Sequence, residues 1–299
     1  MTNRDESNAP YLALIGVQVF FGSLAVIGKL VLVVIPPVAL VGFRVGITAL
    51  ILAVVQAFRG RIWLTDRGDY LRFAALSFVA VTANQLLFVT GLSLTKASNT
   101  SLLAVTIPIF TLAVGSVVGA EKLKGIKVVG ILLAAVGVIF LIDPRNASFS
   151  SQTTIGDILI ILNSLSYGIY VAISKDIVTR NGAFRSIMWI FVFSSVICVP
   201  LGAFSLSSVD LASVTPGIWL LILYIAVVAT TLPYFLNAWA LARVNPSTVA
   251  VFVYLQPLIG FLLAVIFLSE KIDFKFAVAA TLIFAGVFLV IKKFTPIET

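Results

Sequence analysis

The sequence predicts an all-α membrane protein of ten transmembrane helices, arranged as two five-helix inverted repeats, and three observations carry that prediction. Hydrophobic residues make up 61% of the 299 and charged residues only 11%, with a mean hydropathy of +1.15. Apolar runs of about twenty residues, long enough to cross a hydrocarbon core roughly 30 Å thick, recur from Tyr11 to Ile291. Sliding 82–142 onto 231–291 without a gap pairs Thr82 with Thr231, Ser98 with Ser247, Pro108 with Pro257, Glu121-Lys122 with Glu270-Lys271, Gly137-Val138 with Gly286-Val287 and Ile142 with Ile291. This shift of 149 residues divides the chain into related halves, 1–145 and 146–299. Five spans in each half, an odd number, make the second copy enter the membrane from the opposite side.

The spans run, in order, from Tyr11 to Val34, Val38 to Phe58, Tyr70 to Leu92, Asn99 to Val118, Gly125 to Ile142, Gly156 to Val178, Phe184 to Ser205, Gly217 to Ala242, Thr248 to Leu268 and Phe274 to Ile291. The first ten residues are polar, and the run behind them has no small-residue cleavage site, so the N-terminus is expected to be retained. The longest connections, 59–69 and 143–155, are too short for a soluble domain of ~50 residues or more. Function is therefore expected within the bundle.

Orientation follows from the basic residues, because positively charged loops stay cytoplasmic. With the N-terminus inside, fourteen basic residues fall on the inner side, including Arg59, Arg61, Arg185 and Arg243, and only Lys96, Arg145, Lys271 and Lys275 on the outer. Both termini are thus expected to be cytoplasmic. The net charge of +8 reflects this topology and an affinity for anionic lipid, and gives no argument for nucleic-acid binding. A single cysteine, Cys198, excludes an intramolecular disulfide, and the absence of histidine removes the usual imidazole metal ligands. No metal or cofactor is expected.

Candidate functional residues are the polar ones inside apolar spans. The first span carries Gln18 and Lys29, the second Arg44. Ile35-Pro36-Pro37 between these spans permits only antiparallel neighbours. Lys29 and Arg44 each lie seven residues from the proline pair, which predicts a shared depth of roughly 10 Å below the hairpin. Burying a cation at the bilayer centre costs ~2.5 to 3.5 kcal/mol, and every acid falls in a loop or near a span end. Arg44, whose planar fork grips a carboxylate with two hydrogen bonds, is therefore a candidate for binding a carboxylate or phosphate, with bonding of helix-end carbonyls as the alternative. Lys29 is either a weaker assistant to it or a snorkelling side chain.

The third span contributes Asn84, Gln85 and Phe88, and the sixth a helically spaced stripe of Asn163, Ser166/Tyr167, Tyr170 and Ser174. In the eighth, Thr230, Tyr234 and Asn237 form a second stripe, and the ninth adds Tyr254 and Gln256. Such side chains are unfavourable against lipid, which favours a water-filled cavity. Ser166, Ser174 and the pairs Gly42/Gly46 and Gly115/Gly119 suit close helix contacts instead. Pro108 and Pro257 expose the carbonyls of Ala104 and Val253 near the middle of the fourth and ninth spans, either as packing kinks or beside a midplane site. Pro233 is expected to make a third break. Glu121 and Glu270, just before the fifth and tenth helices, suit the positive helix end.

These residues also carry a family resemblance. Gly22…Lys29, Phe43-Arg44, Ala97-Ser98…Pro108…Glu121-Lys122-Leu123…Gly130…Gly137-Val138, and in the second half Pro246-Ser247…Gln256-Pro257…Leu268-Ser269-Glu270…Gly286-Val287, resemble the EamA-type repeats of the drug/metabolite transporter superfamily. Ala120-Glu121 and Ser269-Glu270 stand where the family often has Gly-Glu. The resemblance covers essentially the whole chain, and among bacterial members the chain is most similar to amino-acid exporters, including those for aromatic amino acids. It implies an inner-membrane exporter of small metabolites, amino acids foremost, working by alternating access. An exchanger or exporter of anionic metabolites or amphipathic drugs is the alternative within transport. An integral membrane enzyme acting on lipid-linked substrates is the rival from another class, and it lacks a nucleophile with an identifiable base.

Overall fold

The computed structural model describes residues 8–142, 153–211, 214–259, 262 and 274–292, and every regular element among them is helical. Helix α1 spans Ala9–Val31 and α2 Pro37–Arg59. They are followed by α3 (Gly68–Leu94) and α4, in two pieces (Ala97–Leu103 and Thr106–Val117). Next come α5 (Gly125–Ile142), α6 (Thr154–Asn181) and α7 (Ala183–Ser205). Helices α8 (Pro216–Leu241) and α9 (Pro246–Ile259) precede α10 (Phe274–Ile291). Among the described residues nine of these are long and apolar enough to cross a membrane, α9 being the shorter exception. The remainder of its predicted run to Leu268 lies, apart from Leu262, outside the described residues, as does Glu270.

Proline at the first turn starts α2, α8 and α9, where a missing N–H costs nothing. Exposed apolar residues recur every three or four positions, as Leu12, Ile15 and Val19 on α1 and Val129, Leu132 and Val136 on α5, and give those helices a lipid-facing stripe. The tightest helix pairs are α2 with α7 and α5 with α10. A Cβ on Gly42 would fall 2.9 Å from the Gly202 Cα, and one on Gly286 2.6 Å from the Ala134 nitrogen. Backbone approaches backbone there because no side chain intervenes. Gly46 abuts Val199, and Gly115 abuts Ala172. Gly119 differs from the expected packing role: its φ of +73° and open surroundings make it a turn residue.

The fourth and ninth helices are interrupted where their prolines require it. Helix α4 breaks at Ala104 and Val105, ahead of Pro108, and α9 tightens to a 3-10 turn at Phe252–Tyr254, ahead of Pro257. Pro233 behaves otherwise. Helix α8 widens to a π turn at Val227–Thr231 and then continues through Pro233 in the first turn of the next helical segment. An equivalent π turn occupies Phe78–Thr82 in α3, 149 residues earlier, where Asn84 stands in the place of Pro233. The proline is therefore not the cause of the widening. Hydroxyls from neighbouring helices bond carbonyls around both π turns: Ser194 Oγ to Ser77 O at 3.0 Å and Ser166 Oγ to Val79 O at 2.7 Å, and Thr48 Oγ1 to Ala226 O at 3.1 Å. Helices α5 and α10 also share their limits at the same 149-residue offset.

Candidate functional site

Arg44 lies about two turns inside α2 and is 1% exposed. Its Nε donates to Thr230 Oγ1 at 3.0 Å, in the π turn of α8, and Thr230 Oγ1 in turn donates to Ile225 O at 2.7 Å. Nη1 has no hydrogen-bond partner among the described residues. Arg44 is one of the residues lining a cavity of about 440 Å³, together with Asn84, Gln85 and Phe88 of α3, Asn163 and Tyr167 of α6, Tyr234 of α8, and Gln256 and Pro257 of α9. Among the described residues none that lines it is acidic.

A polar lattice fixes the cavity wall. Gln85 Nε2 donates to Tyr234 Oη at 2.9 Å, and Tyr234 Oη donates to Asn84 Oδ1 at 3.2 Å. Asn163 Nδ2 donates to Asn84 O at 2.9 Å, and Asn84 Nδ2 to Asn163 O at 3.4 Å. These bonds join α3, α6 and α8, and Phe21 meets the Tyr234 ring edge-on at 5.9 Å between centroids. The breaks in α4 and α9 also reach the site, since Ala104 and Val253, four residues before the two prolines, both line it.

Other predicted site residues stand behind this wall. Gln18 Oε1 accepts from Gln256 Nε2 at 2.8 Å, Tyr167 Oη accepts from Asn237 Nδ2 at 2.8 Å, and Tyr254 Oη donates to Val105 O at 2.9 Å. Gln18, Asn237 and Tyr254 thus tie helices together without lining the cavity, and Pro108 and Pro233 do not line it either. Lys29 is also elsewhere. Helix α1 ends at Val31, so Lys29 stands in its last turn, and it does not line the cavity that Arg44 lines. Its Nζ donates to Thr95 O at 2.7 Å, at the C-terminus of α3, where a cation meets orphan carbonyls and the negative helix end.

The sequence reading missed the apolar walls, chiefly Phe21, Leu24, Ile107, Leu141 and Ile160, and the hydroxyls of Thr100 and Ser101. It also missed Asp157, a buried carboxylate that accepts from Thr95 Oγ1 at 2.6 Å and Asn99 Nδ2 at 3.0 Å. Glu121 meets a helix end, but not that of its own α5: it accepts from Ser247 N at 3.0 Å and Ser247 Oγ at 2.6 Å in the first turn of α9, and pairs with Lys127.

Membrane-length helices around a cavity, with a buried cation among its lining residues, define a multi-pass membrane protein. The sequence profile of the EamA-like transporter family matches residues 8–143 and again 154–292, and the chain belongs to that family. It is 24% identical to the uncharacterized transporter YetK of Bacillus subtilis, over 96% of this chain and 88% of that protein. It is 26% identical to an uncharacterized transporter of Archaeoglobus fulgidus, over 75% and 77% of the two chains. A protein of Salmonella typhimurium named a probable amino-acid metabolite efflux pump is 30% identical over 60% of this chain and 62% of its own length. A solved crystal structure with 16% identity superposes with a TM-score of 0.74, covering 95% of this chain and 97% of its own, and so shares the fold.

Proposed function

We propose that this transporter exports small carboxylate-bearing metabolites, amino acids foremost, by alternating access between two five-helix repeats of opposite topology, and that it sits in a bacterial inner membrane with both termini cytoplasmic. The observation that carries the reading is that, among the described residues, Nη1 of a fully buried Arg44 has no partner and the cavity that Arg44 lines has no acid. A substrate carboxylate would complete its hydrogen bonding and neutralise its charge in one step. The cavity's volume of about 440 Å³ suits a metabolite, with Phe21, Leu24, Phe88 and Ile107 to receive an apolar side chain and the amides to orient it. The name of the Salmonella relative supports a metabolite efflux role. Support for the repeat comes from the two separate family matches and from the paired π turns.

Counterflow in proteoliposomes, against a panel of radiolabelled amino acids, tests this. A free amino acid should inhibit far better than its uncharged amide. Equal inhibition by acid and amide would remove the carboxylate reading and favour a cavity for amphipathic drugs.

A further inference from the structure

A second and larger hollow, about 1660 Å³, opens at the end of the bundle where α2, α6 and α8 finish and α1 begins. Four arginines line it, Arg59, Arg61, Arg185 and Arg243, and among the described residues no acidic one does. Aromatic faces accompany them. The Arg59 guanidinium lies 5.0 Å from the Phe184 ring centroid and that of Arg243 4.0 Å from Trp239. Gln56, itself buried, donates to Gly60 O at 2.7 Å and Arg61 O at 3.3 Å, which holds the turn bearing Arg59 and Arg61 over the hollow. Arg185 Nη1 donates to Trp63 O at 3.2 Å, and its buried Nε has no partner.

The preference for positive loops accounts for basic residues at this end, but not for their convergence on one concavity. Arg72 and Arg180 pair with Asp69, which accepts from the lining Asn181 but does not itself line the hollow, and Lys127 pairs with Glu121. Among the described residues no carboxylate lies within 4.0 Å of the four arginines. Converging like charges in a cleft concentrate anions there.

We propose that this hollow is a second anion-binding site, separate from the Arg44 cavity, which takes organic anions that combine a carboxylate or phosphate with an apolar or aromatic body. The arginines hold the charge, and Phe184, Phe235 and Trp239 receive the body. The site does not depend on the identity of the exported substrate.

Tryptophan quenching tests it without transport. In full-length protein in phosphatidylcholine nanodiscs, the signal lost on Trp239→Phe isolates Trp239, and quenching by iodide is divided by quenching by neutral acrylamide. The ratio for Trp239 should exceed that for free N-acetyltryptophanamide about 3-fold or more. It should fall toward the free value in Arg59→Gln/Arg61→Gln/Arg185→Gln, and part of the way in the exposed single variant Arg61→Gln. Phenyl phosphate should protect Trp239 from iodide where phenol does not. Protection by phosphatidylglycerol in the nanodisc, with none from phenyl phosphate, would assign the same site to a lipid headgroup. A ratio at the free value, or one unmoved by both arginine variants, would overturn the proposal.

Discussion

Replacing Arg44 with methionine should separate binding from folding. The Arg44 Nε bond uses Thr230 Oγ1 only as an acceptor, and the Thr230 hydroxyl keeps its own bond to Ile225 O. The substitution therefore orphans no donor, removes a charge from the membrane interior and keeps much of the volume of one of the largest fully buried side chains, so stability should fall by less than ~1.5 kcal/mol, whereas Arg44→Ala would empty that volume and cost ~2 to 5 kcal/mol. Substrate binding should suffer more. One charge-assisted hydrogen bond from Nη1 contributes ~1.5 to 3 kcal/mol, which converts to a loss of about 10- to 150-fold in affinity for a carboxylate ligand. The amide of the same ligand should lose little. Thr230→Val reverses the pattern, because it keeps the guanidinium but strands its Nε, which costs ~1 to 3 kcal/mol of stability. Arg44→Lys should recover only part of the binding, since an ammonium keeps charge and loses the planar fork. Inhibition constants for acid and amide, measured beside thermal unfolding in detergent, test this. Equal losses for acid and amide in Arg44→Met would refute the assignment of Nη1 to the carboxylate.

Three further outcomes are expected. In a Cys198→Ala background, Ser207→Cys should react with an impermeant thiol reagent from outside the cell and Arg61→Cys should not; the opposite labelling would reverse the proposed topology. Pro108→Ala and Pro257→Ala restore a donor at the breaks in α4 and α9 and should slow turnover more than they weaken binding, and unchanged rates in both would assign these prolines to packing alone. Gly42→Ala drives a methyl to within 2.9 Å of the Gly202 Cα, backbone that cannot yield, and should cost ~1 to 3 kcal/mol of stability; unfolding at the unmutated temperature would show that α2 and α7 can separate freely.

Hydropathy made the helices legible, and polarity inside apolar runs made much of the cavity legible. Arg44, Asn84, Gln85, Phe88, Asn163, Tyr167, Tyr234 and Gln256 all line it, because each is costly against lipid unless the fold gives it somewhere to go. The apolar walls were invisible for the converse reason: nothing distinguishes Phe21 or Ile160 from the many equally apolar residues that face hydrocarbon. Lys29 shows a different limit. Its distance from Pro36 is a fact of sequence, but the carbonyl it reaches, Thr95 O, belongs to another helix whose end could be placed alongside only by the tertiary fold. Glu121 misled similarly, since a carboxylate seeking a helix start reached α9 rather than the α5 that follows it in sequence. The π turns carry no compositional mark, although the pairing of Thr82 with Thr231 already indicated their equivalence.

Those π turns set helical phase. In an uninterrupted α-helix, successive residues are spaced about 100° apart, so the face fixed at one end dictates the face at the other. Helix α3 must satisfy two partners: its first segment, with Phe73 and Leu76 buried, packs on α7, and its second packs on α6 while presenting Asn84, Gln85 and Phe88 to the cavity. The wider turn at Phe78–Thr82 absorbs a residue between them and lets each segment keep its own azimuth. Helix α8 uses Val227–Thr231 in the same way, ahead of Tyr234. Deleting one residue within either turn would let it close to α geometry with both segments still seated, whereas deleting one just after it would rotate the polar side chains that follow by about 100° and carry them out of the cavity.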